Sequence, residues 1–274
     1  MTGPATSPPT LGLRVTPLPG RFGAGKLVER NFLVFRRSWL VFLTGFLEPV
    51  FYLLSIGVGV AALVGELTLP GGGTIGYTAF IAPAMLAASA MNGAIFDATY
   101  NVFFRLRYAK LYDVVLATPL RPWDVAVGEV AWALVRGTVY SAAFVVVMVA
   151  MGLVSSWWAV LALPAAMLIA YGFAGMAMGL TTFMRSWQDF EFIQLAIMPM
   201  FLFSATFYPL EAYPGLLRWV VEATPLYQGV ALERGLTTGT IGWQEAVWHV
   251  GYLVAMGTLG LWIASRRLAR LLLH

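Results

Sequence analysis

The chain has 274 residues, of which 59% are hydrophobic and only 11% charged, and its formal net charge is +4. A soluble domain carries about 25% charged residues, so this composition excludes a soluble globular protein and indicates an integral membrane protein. The length accommodates about six membrane spans of roughly 20 residues each with short loops, and it leaves no room for an additional soluble domain.

The chain shows no pattern for a metal or nucleotide site. Cysteine is absent and the two histidines are His249 and His274, which excludes a disulfide framework, a thiolate metal site and a histidine cluster. Residues 20–26 match the pattern G-x-x-x-x-G-K, but Leu27 follows where a P-loop needs Ser or Thr to hold magnesium. We therefore expect no cofactor in this chain, and nothing in it resembles a nucleic-acid-binding module.

The N-terminal region predicts a tail and a surface helix. Residues 1–19 are rich in Pro, Thr and Gly and lack the apolar core of a signal peptide. Residues 20–38 predict an amphipathic helix on the membrane surface, which Asn31 and Leu33 interrupt. Its charged face contains Lys26, Glu29, Arg30, Arg36 and Arg37. The helix serves either as an anchor or as a contact for a cytoplasmic partner, and the pattern leaves both open.

Six apolar stretches follow, near 39–65, 77–104, 124–151, 157–183, 190–208 and 244–265. Each is best interpreted as a transmembrane helix, because a backbone in lipid must satisfy its hydrogen bonds within the segment. The stretches are longer and more continuous than the strands of a membrane β-barrel.

Basic residues predict the orientation. Fourteen flank the stretches on one side, and only Arg218 and Arg234 lie on the other. The positive-inside rule places the fourteen, and both chain ends, in the cytoplasm, with residues 267–274 as a short tail. The sequence thus predicts a multi-pass protein of the inner (plasma) membrane.

The two longest loops have unusual patterns. In residues 105–123, on the basic side, apolar residues recur at helical spacing until Pro119. A short helix held between two spans could transmit force to both, whereas the alternative is an ordinary surface turn. On the other side, residues 208–243 are too polar for a span and too apolar for a solvated loop. They predict two short helices, divided by prolines, that line or cap a pathway.

Ionisable residues within the predicted spans are few, and such residues usually face the interior of the helix bundle. The predicted interior polar cluster contains Glu48, Asp97, Glu129 and Arg136. We hypothesise that Arg136 pairs with Glu48 or Glu129, and we favour a structural ion pair over a substrate contact. Gly175 and Gly179 form a G-x-x-x-G pattern that favours close helix contact, either within the chain or between subunits.

The order of these elements, together with several short stretches, resembles the membrane-spanning subunit of type-2 ABC exporters, especially the permeases for nodulation factors and daunorubicin-type drugs. The resemblance covers nearly the whole chain after the tail, and the order of the stretches carries it. The stretches are Glu29-Arg30-Asn31, Trp39, Glu48-Pro49, Arg105-Leu106-Arg107, Leu111-Tyr112-Asp113, Leu116-Ala117-Thr118-Pro119-Leu120, Gly128-Glu129, Trp132, Arg136-Gly137, Phe203-Ser204-Ala205-Thr206-Phe207-Tyr208-Pro209-Leu210 and Pro225-Leu226.

The resemblance implies an all-α integral membrane protein with six transmembrane helices, an N-terminal amphipathic interfacial helix, a cytoplasmic coupling helix at about 105–117 and a re-entrant extracellular helical hairpin at about 208–243. The implied ATPase-coupling residues are Arg105, Arg107, Lys110, Leu111, Tyr112, Asp113, Glu29 and Arg30. The implied hairpin residues are Phe207, Tyr208, Pro209 and Pro225.

The resemblance also implies the partners. Two permeases pair, as a homodimer or with a sister subunit, above two separate ABC ATPase subunits that hold ATP and Mg²⁺. Hydrolysis there would drive export of an amphipathic drug, lipid or glycolipid. Two other classes remain as alternatives: a self-contained secondary transporter, which would place ionisable groups at the midplane near broken helices, and a membrane-embedded lipid-modifying enzyme.

Overall fold

The computed structural model describes residues 23–36, 47, 49–68 and 73–272, and within these it is almost entirely helical. Its helices are α1 Gly23–Phe35, α2 Pro49–Val64, α3 Tyr77–Arg107, α4 Leu111–Leu116, α5 Pro122–Ala150, α6 Trp157–Thr181, α7 Phe190–Leu202, α8 Gly215–Ala223, α9 Pro225–Thr238 and α10 Trp243–Leu272. Strands β1 Glu66–Thr68 and β2 Thr74–Gly76 pair antiparallel between α2 and α3, a small hairpin that hydropathy did not predict.

Four of these helices, α3, α5, α6 and α10, are long and apolar enough to cross a membrane. With 25 to 31 residues each, they extend for about 37 to 46 Å, more than the hydrocarbon core of roughly 30 Å. They occupy the stretches predicted at 77–104, 124–151, 157–183 and 244–265. Helix α10 continues to Leu272, through residues that hydropathy assigned to a tail.

The other two predicted stretches coincide with shorter helices. Residues 37–46 and 48, including Trp39, Arg37 and Glu48, lie outside the described part of the chain, and α2 begins at Pro49. Helix α7 has 13 residues, so the single helix predicted over 190–208 is wrong in its last third. The backbone leaves the helical conformation at Phe203, and Ala205 has a positive φ of 55°.

Helix α3 forms the centre of the bundle and is buried along most of its length by α2, α5, α6 and α9. It is irregular at one place, since Asp97–Asn101 forms a π-helical turn. The turn lies toward the end of the bundle that carries α1, α4 and the C-terminus of α10. We call this end the basic end.

Helices α6 and α10 make the most extensive helix contact in the described structure. Gly175 and Gly179 of α6 lie against the backbone of Gly257 and Gly260 of α10, so closely that a side chain at Gly175 or Gly260 would collide with main-chain atoms. The predicted G-x-x-x-G contact is therefore made within the chain.

Residues 208–243 contain the two predicted short helices. Thr224 ends α8 and caps α9, where its hydroxyl accepts from the Tyr227 N–H at 3.3 Å and Pro225 occupies the first turn. Helix α9 is buried against α3, α6 and α10. Helix α8 buries only Val221 and exposes Leu216, Trp219 and Val220, an apolar stripe at helical spacing.

Candidate functional site: two ion pairs at the basic end

Helices α3 and α5 each contribute one acid followed by one base along the chain, and because the helices are antiparallel each acid lies opposite a base. Arg136 of α5 pairs with Asp97 of α3, and we call this the inner pair. Glu129 of α5 pairs with Arg105 of α3, nearer the basic end, and we call this the outer pair. The side chains of Asp97, Arg136 and Glu129 are at most 8% exposed, and that of Arg105 is 19% exposed.

The π-helical turn in α3 explains how both pairs form. Glu129 and Arg136 are seven residues apart, which is close to two turns of an α-helix and places them on one face. Asp97 and Arg105 are eight residues apart, and on a regular helix they would diverge by about 80°. The π-turn at Asp97–Asn101 accommodates one extra residue, which brings the α3 charges back into register with those of α5.

The inner pair is held by side chains on both helices and by α1. Asn101 donates to the Asp97 carboxylate at 2.5 Å, and the Arg136 guanidinium donates to the Tyr140 hydroxyl at 3.0 Å. The same guanidinium lies 4.5 Å from the centre of the Phe35 ring, so the surface helix closes one side of the pair. Within the described residues, the Arg136 Nε has no hydrogen-bond partner.

The outer pair collects hydrogen bonds from three separate elements, and we call this the Glu129 node. The Glu129 carboxylate accepts from Arg105 at the end of α3, from Asn31 Nδ2 of α1 at 3.2 Å, and from the Tyr112 hydroxyl of α4 at 3.1 Å. Asn31 is 1% exposed and Tyr112 is fully buried. The carboxylate charge is thus surrounded by donors in a buried setting, where such hydrogen bonds are strong.

The predicted pairing of Arg136 with Glu129 is wrong. The two residues share a face of α5, but they lie about 10 Å apart along its axis, too far for a direct ion pair. The antiparallel α3 supplies a closer partner to each. Glu48, the other proposed partner, lies outside the described residues.

The residues predicted to contact an ATPase divide into a buried and an exposed group. Arg105 and Tyr112 belong to the Glu129 node, and Leu111 is partly buried. Arg107 is exposed and donates to the Met184 carbonyl at 2.9 Å, which joins the end of α3 to the turn after α6. The remaining members lie on the surface or at its edge: Glu29, Arg30, Lys110 and Asp113.

In the sequence, Asn31 stood out as an interruption of the amphipathic pattern and as part of the stretch Glu29-Arg30-Asn31, but it was given no role of its own. It is the residue that α1 places against α5, on the buried stripe Gly23, Leu27 and Asn31. Its only sequence signal was a short polar side chain in line with Leu27 one turn earlier, on the side of the helix that faces the bundle.

At the opposite end, Arg234 of α9 organises the predicted hairpin residues. Its guanidinium donates to the Ala205 carbonyl at 2.8 Å and the Phe80 carbonyl at 3.2 Å, and lies 3.7 Å from the Phe80 ring centre. It therefore satisfies the backbone where α7 gives way to an irregular segment. In that segment Phe207 packs edge-on against Phe201, and Tyr208 is exposed. The sequence predicted no such role for Arg234.

A groove of about 510 Å³ opens between α2, α3, α5 and α7. Its walls are mostly apolar and aromatic, and Arg136 of the inner pair lines one part together with its hydrogen-bond partner Tyr140. Asn92, at the middle of α3, is exposed in this groove, and Ser89 and Gln194 line it as well. A polar amide at mid-span is costly against lipid, so its exposure indicates a contact other than hydrocarbon.

The long apolar helices and the charge pairs buried between them are the features of a helical membrane protein. Sequence comparison gives the family: residues 25–236, well over half of the chain, match the family of ABC-2 type transporters. The chain therefore belongs to the ABC-2 type transporter family.

Relatives match along most of their length. The chain is 32% identical to Nodulation protein J of Rhizobium leguminosarum bv. trifolii over 269 residues, which cover 96% of this chain and 99% of the relative. It is 31% identical to Nodulation protein J of Bradyrhizobium diazoefficiens over 234 residues, or 84% and 87% of the two chains. For Nodulation protein J of Rhizobium meliloti, identity is 29% over 248 residues, or 89% and 92%.

Proposed function

We propose that this chain is the membrane-spanning permease subunit of an ATP-driven ABC exporter in the inner membrane. In this proposal α2 and α7, with the residues next to them, complete six spans, and both chain ends are cytoplasmic. A second permease, either an identical copy or a sister subunit, completes the pathway. Two separate ATPase subunits bind ATP and Mg²⁺ at the basic end.

The observation that carries the proposal is the exposed surface of α4, a short helix between two long ones. This six-residue helix lies directly between α3 and α5, and only Tyr112 of it is buried. The rest of its surface is exposed or half-buried, and Lys110, Asp113 and Val114 are exposed, the last at 68%. Because Tyr112 anchors this helix in the bundle, the charged side chains of Lys110 and Asp113 and the apolar side chain of Val114 form an exposed surface between two long helices, on which a separate ATPase subunit would dock.

The groove supports an amphipathic cargo. Its apolar and aromatic walls suit an acyl chain or a flat drug, and Asn92, Ser89 and Gln194 offer hydrogen bonds to a polar group. We propose that such a drug, lipid or glycolipid enters from the cytoplasm or the inner leaflet and leaves on the other side.

The test is co-purification of the permease with the ATPase expressed from its own gene, followed by reconstitution in vesicles. The double variant Lys110→Glu/Val114→Asp should reduce the bound ATPase by at least about tenfold, the effect of losing a contact at the centre of an interface. The control is Glu66→Lys, a charge reversal at an exposed position of β1, at the far end of α3.

Two outcomes would contradict the proposal. One is a permease that retains no ATPase and accumulates a fluorescent amphipathic drug in response to an ion gradient alone, which would indicate a secondary transporter. The other is equal ATPase binding by the double variant and the Glu66→Lys control.

A further inference from the structure

The Glu129 node connects three elements to α5 through one side chain. Its donors come from α1 (Asn31), from the end of α3 (Arg105) and from α4 (Tyr112), and its acceptor belongs to α5. One carboxylate is therefore the meeting point of the surface helix, the short helix and two long helices. The node could be a simple structural contact, but two further features indicate that it also couples the movements of these elements.

The first feature is the way α4 is attached. Tyr112 is the one residue of α4 that is buried, and its hydroxyl donates a hydrogen bond to the Glu129 carboxylate. The side chains around it on α4 are exposed or half-buried. Leu111, Val115 and Leu116 also pack against the core, but Tyr112 is the α4 side chain that hydrogen-bonds to Glu129, so a displacement of α4 acts on this carboxylate through the tyrosine hydroxyl.

The second feature is the close packing of α1 against α5 beside the same carboxylate. Gly128 precedes Glu129, and a Cβ placed there would lie 2.9 Å from the Leu27 Cβ and 3.1 Å from the Ala24 carbonyl oxygen. Helix α1 thus packs directly on the α5 backbone next to the node. One turn beyond Asn31, Phe35 covers Arg136 of the inner pair. The surface helix therefore contacts both ion pairs.

We propose that Glu129 is a positioning residue, which makes α1, α4 and the end of α3 move together with α5. A displacement delivered to α4 then reaches the inner pair and the groove beside it. This inference rests on the proposed function, because it assumes that an ATPase delivers the displacement. Beyond the proposed function, the inference identifies Glu129 as the residue that transmits this displacement.

The absence of native cysteine in this chain allows a direct test, because Asn92→Cys creates the one maleimide site of the permease, in the groove. The permease–ATPase complex carrying this change is labelled with a maleimide in the nucleotide-free state and after trapping with ATP and vanadate. The ratio of the two labelling rates measures how strongly the nucleotide state reaches the groove. No knowledge of the cargo is needed.

Tyr112→Phe, added to this background, removes the hydroxyl but keeps the buried ring. We expect ATPase co-purification and ATP hydrolysis to persist, while the nucleotide effect on labelling falls by roughly tenfold or more, as for losing a hydrogen bond to a charged acceptor. Asn31→Leu, on a different element, should cause the same loss. The two changes together should not add, because both break one node.

The matched control is Tyr171→Phe on α6, which removes a tyrosine hydroxyl remote from the node. The inference is overturned if Tyr112→Phe and Asn31→Leu keep the full nucleotide effect, as Tyr171→Phe should. It is also overturned if both lose the ATPase, since the node would then be a docking or folding contact. A permease with an intact node that binds no ATPase, or shows no nucleotide effect at the label site, would instead count against the proposed function.

Discussion

Two pairs of neighbouring long helices are held together by opposite means. Helices α3 and α5 meet through side chains, with the inner and outer ion pairs and the tyrosine and asparagine groups around them. Helices α6 and α10 meet through glycine, with one backbone directly on the other. Both are known ways to join helices in a membrane, where polar side chains and small residues replace the hydrophobic effect.

The difference indicates where the molecule can change shape. The ion pairs are made by side chains that can change rotamer and so adjust to a movement of the helices. Helix α3 is also irregular, since it contains a π-helical turn at Asp97–Asn101. At Gly175 and Gly260 the two backbones meet with no side chain between them, so no rotamer change there can absorb a relative movement of α6 and α10. We therefore regard α6 and α10 as a frame against which α3 and α5 are displaced.

The largest effect is expected from breaking the glycine contact. Gly260→Leu places a side chain where only backbone atoms lie, and these have no room to move. The cost should exceed the range of about 1–3 kcal/mol usual for overpacking, so that little folded protein accumulates. Fluorescence-detected size exclusion of detergent extracts measures the folded amount.

Gly251→Leu is the control for this change, because it lies on the same helix and a Cβ added there would meet no atom within 4 Å. It should accumulate like the wild type. Equal accumulation of Gly260→Leu would mean that α6 and α10 are not a rigid pair.

A smaller effect is expected from breaking the inner pair. Arg136→Met leaves the Asp97 carboxylate buried without its cation, which should cost about 3 kcal/mol and lower the melting temperature in detergent. Adding Asp97→Asn removes the unpaired charge and should restore most of the loss. Arg218→Met, which breaks an exposed pair with Glu222 on α8, should change stability by less than about 1 kcal/mol.

The measurement is thermal unfolding followed by fluorescence, together with export assays of the same preparations. If Arg136→Met melted like the wild type and only export were lost, Arg136 would contact the cargo in the groove, and the structural interpretation of the pair would be wrong.

The long helices were predictable because an apolar stretch long enough to cross the lipid must be helical to satisfy its backbone hydrogen bonds. The predicted starts at 77, 124, 157 and 244 lie within two residues of Tyr77, Pro122, Trp157 and Trp243. The end of α7 was not predictable in the same way. Residues Phe203–Tyr208 continue the apolar stretch of the helix before them, and the hydrogen bond that their backbone accepts at Ala205 comes from Arg234, which is distant in sequence.

The members of the polar cluster were predictable and their partners were not. Charge within a span identifies Asp97, Glu129 and Arg136, since lipid penalises each of them. Their pairing depends on the antiparallel packing of α3 on α5 and on one extra residue in a π-turn, which hydropathy does not encode. Asn31 was missed for a related reason, because it is polar on a surface helix and becomes important only where α1 meets α5.

The smallest effect concerns a carboxylate outside the bundle, at the start of α7. The Asp189 carboxylate accepts from the Arg185 N–H at 2.6 Å and the Ser186 N–H at 3.1 Å, and these bonds hold its pKa below the usual 3.8. A lowered pKa means that the ionised form stabilises the folded turn. That contribution is present above the usual pKa and is lost as the pH falls through the lowered one.

We therefore expect hydrogen-exchange protection of residues 185–190 in the wild type to fall as the pH is lowered from neutral to below the usual pKa of 3.8. In Asp189→Asn it should be low throughout, whereas Glu66→Gln should keep the wild-type profile. Because Asp189 is only half-buried and its described hydrogen bonds stay within its own turn, the change should remain local and leave the melting temperature unaltered. A global loss of stability on Asp189→Asn would show that the turn between α6 and α7 belongs to the frame formed by α6 and α10. The assignment of this turn to the part of the molecule outside the frame would then be wrong.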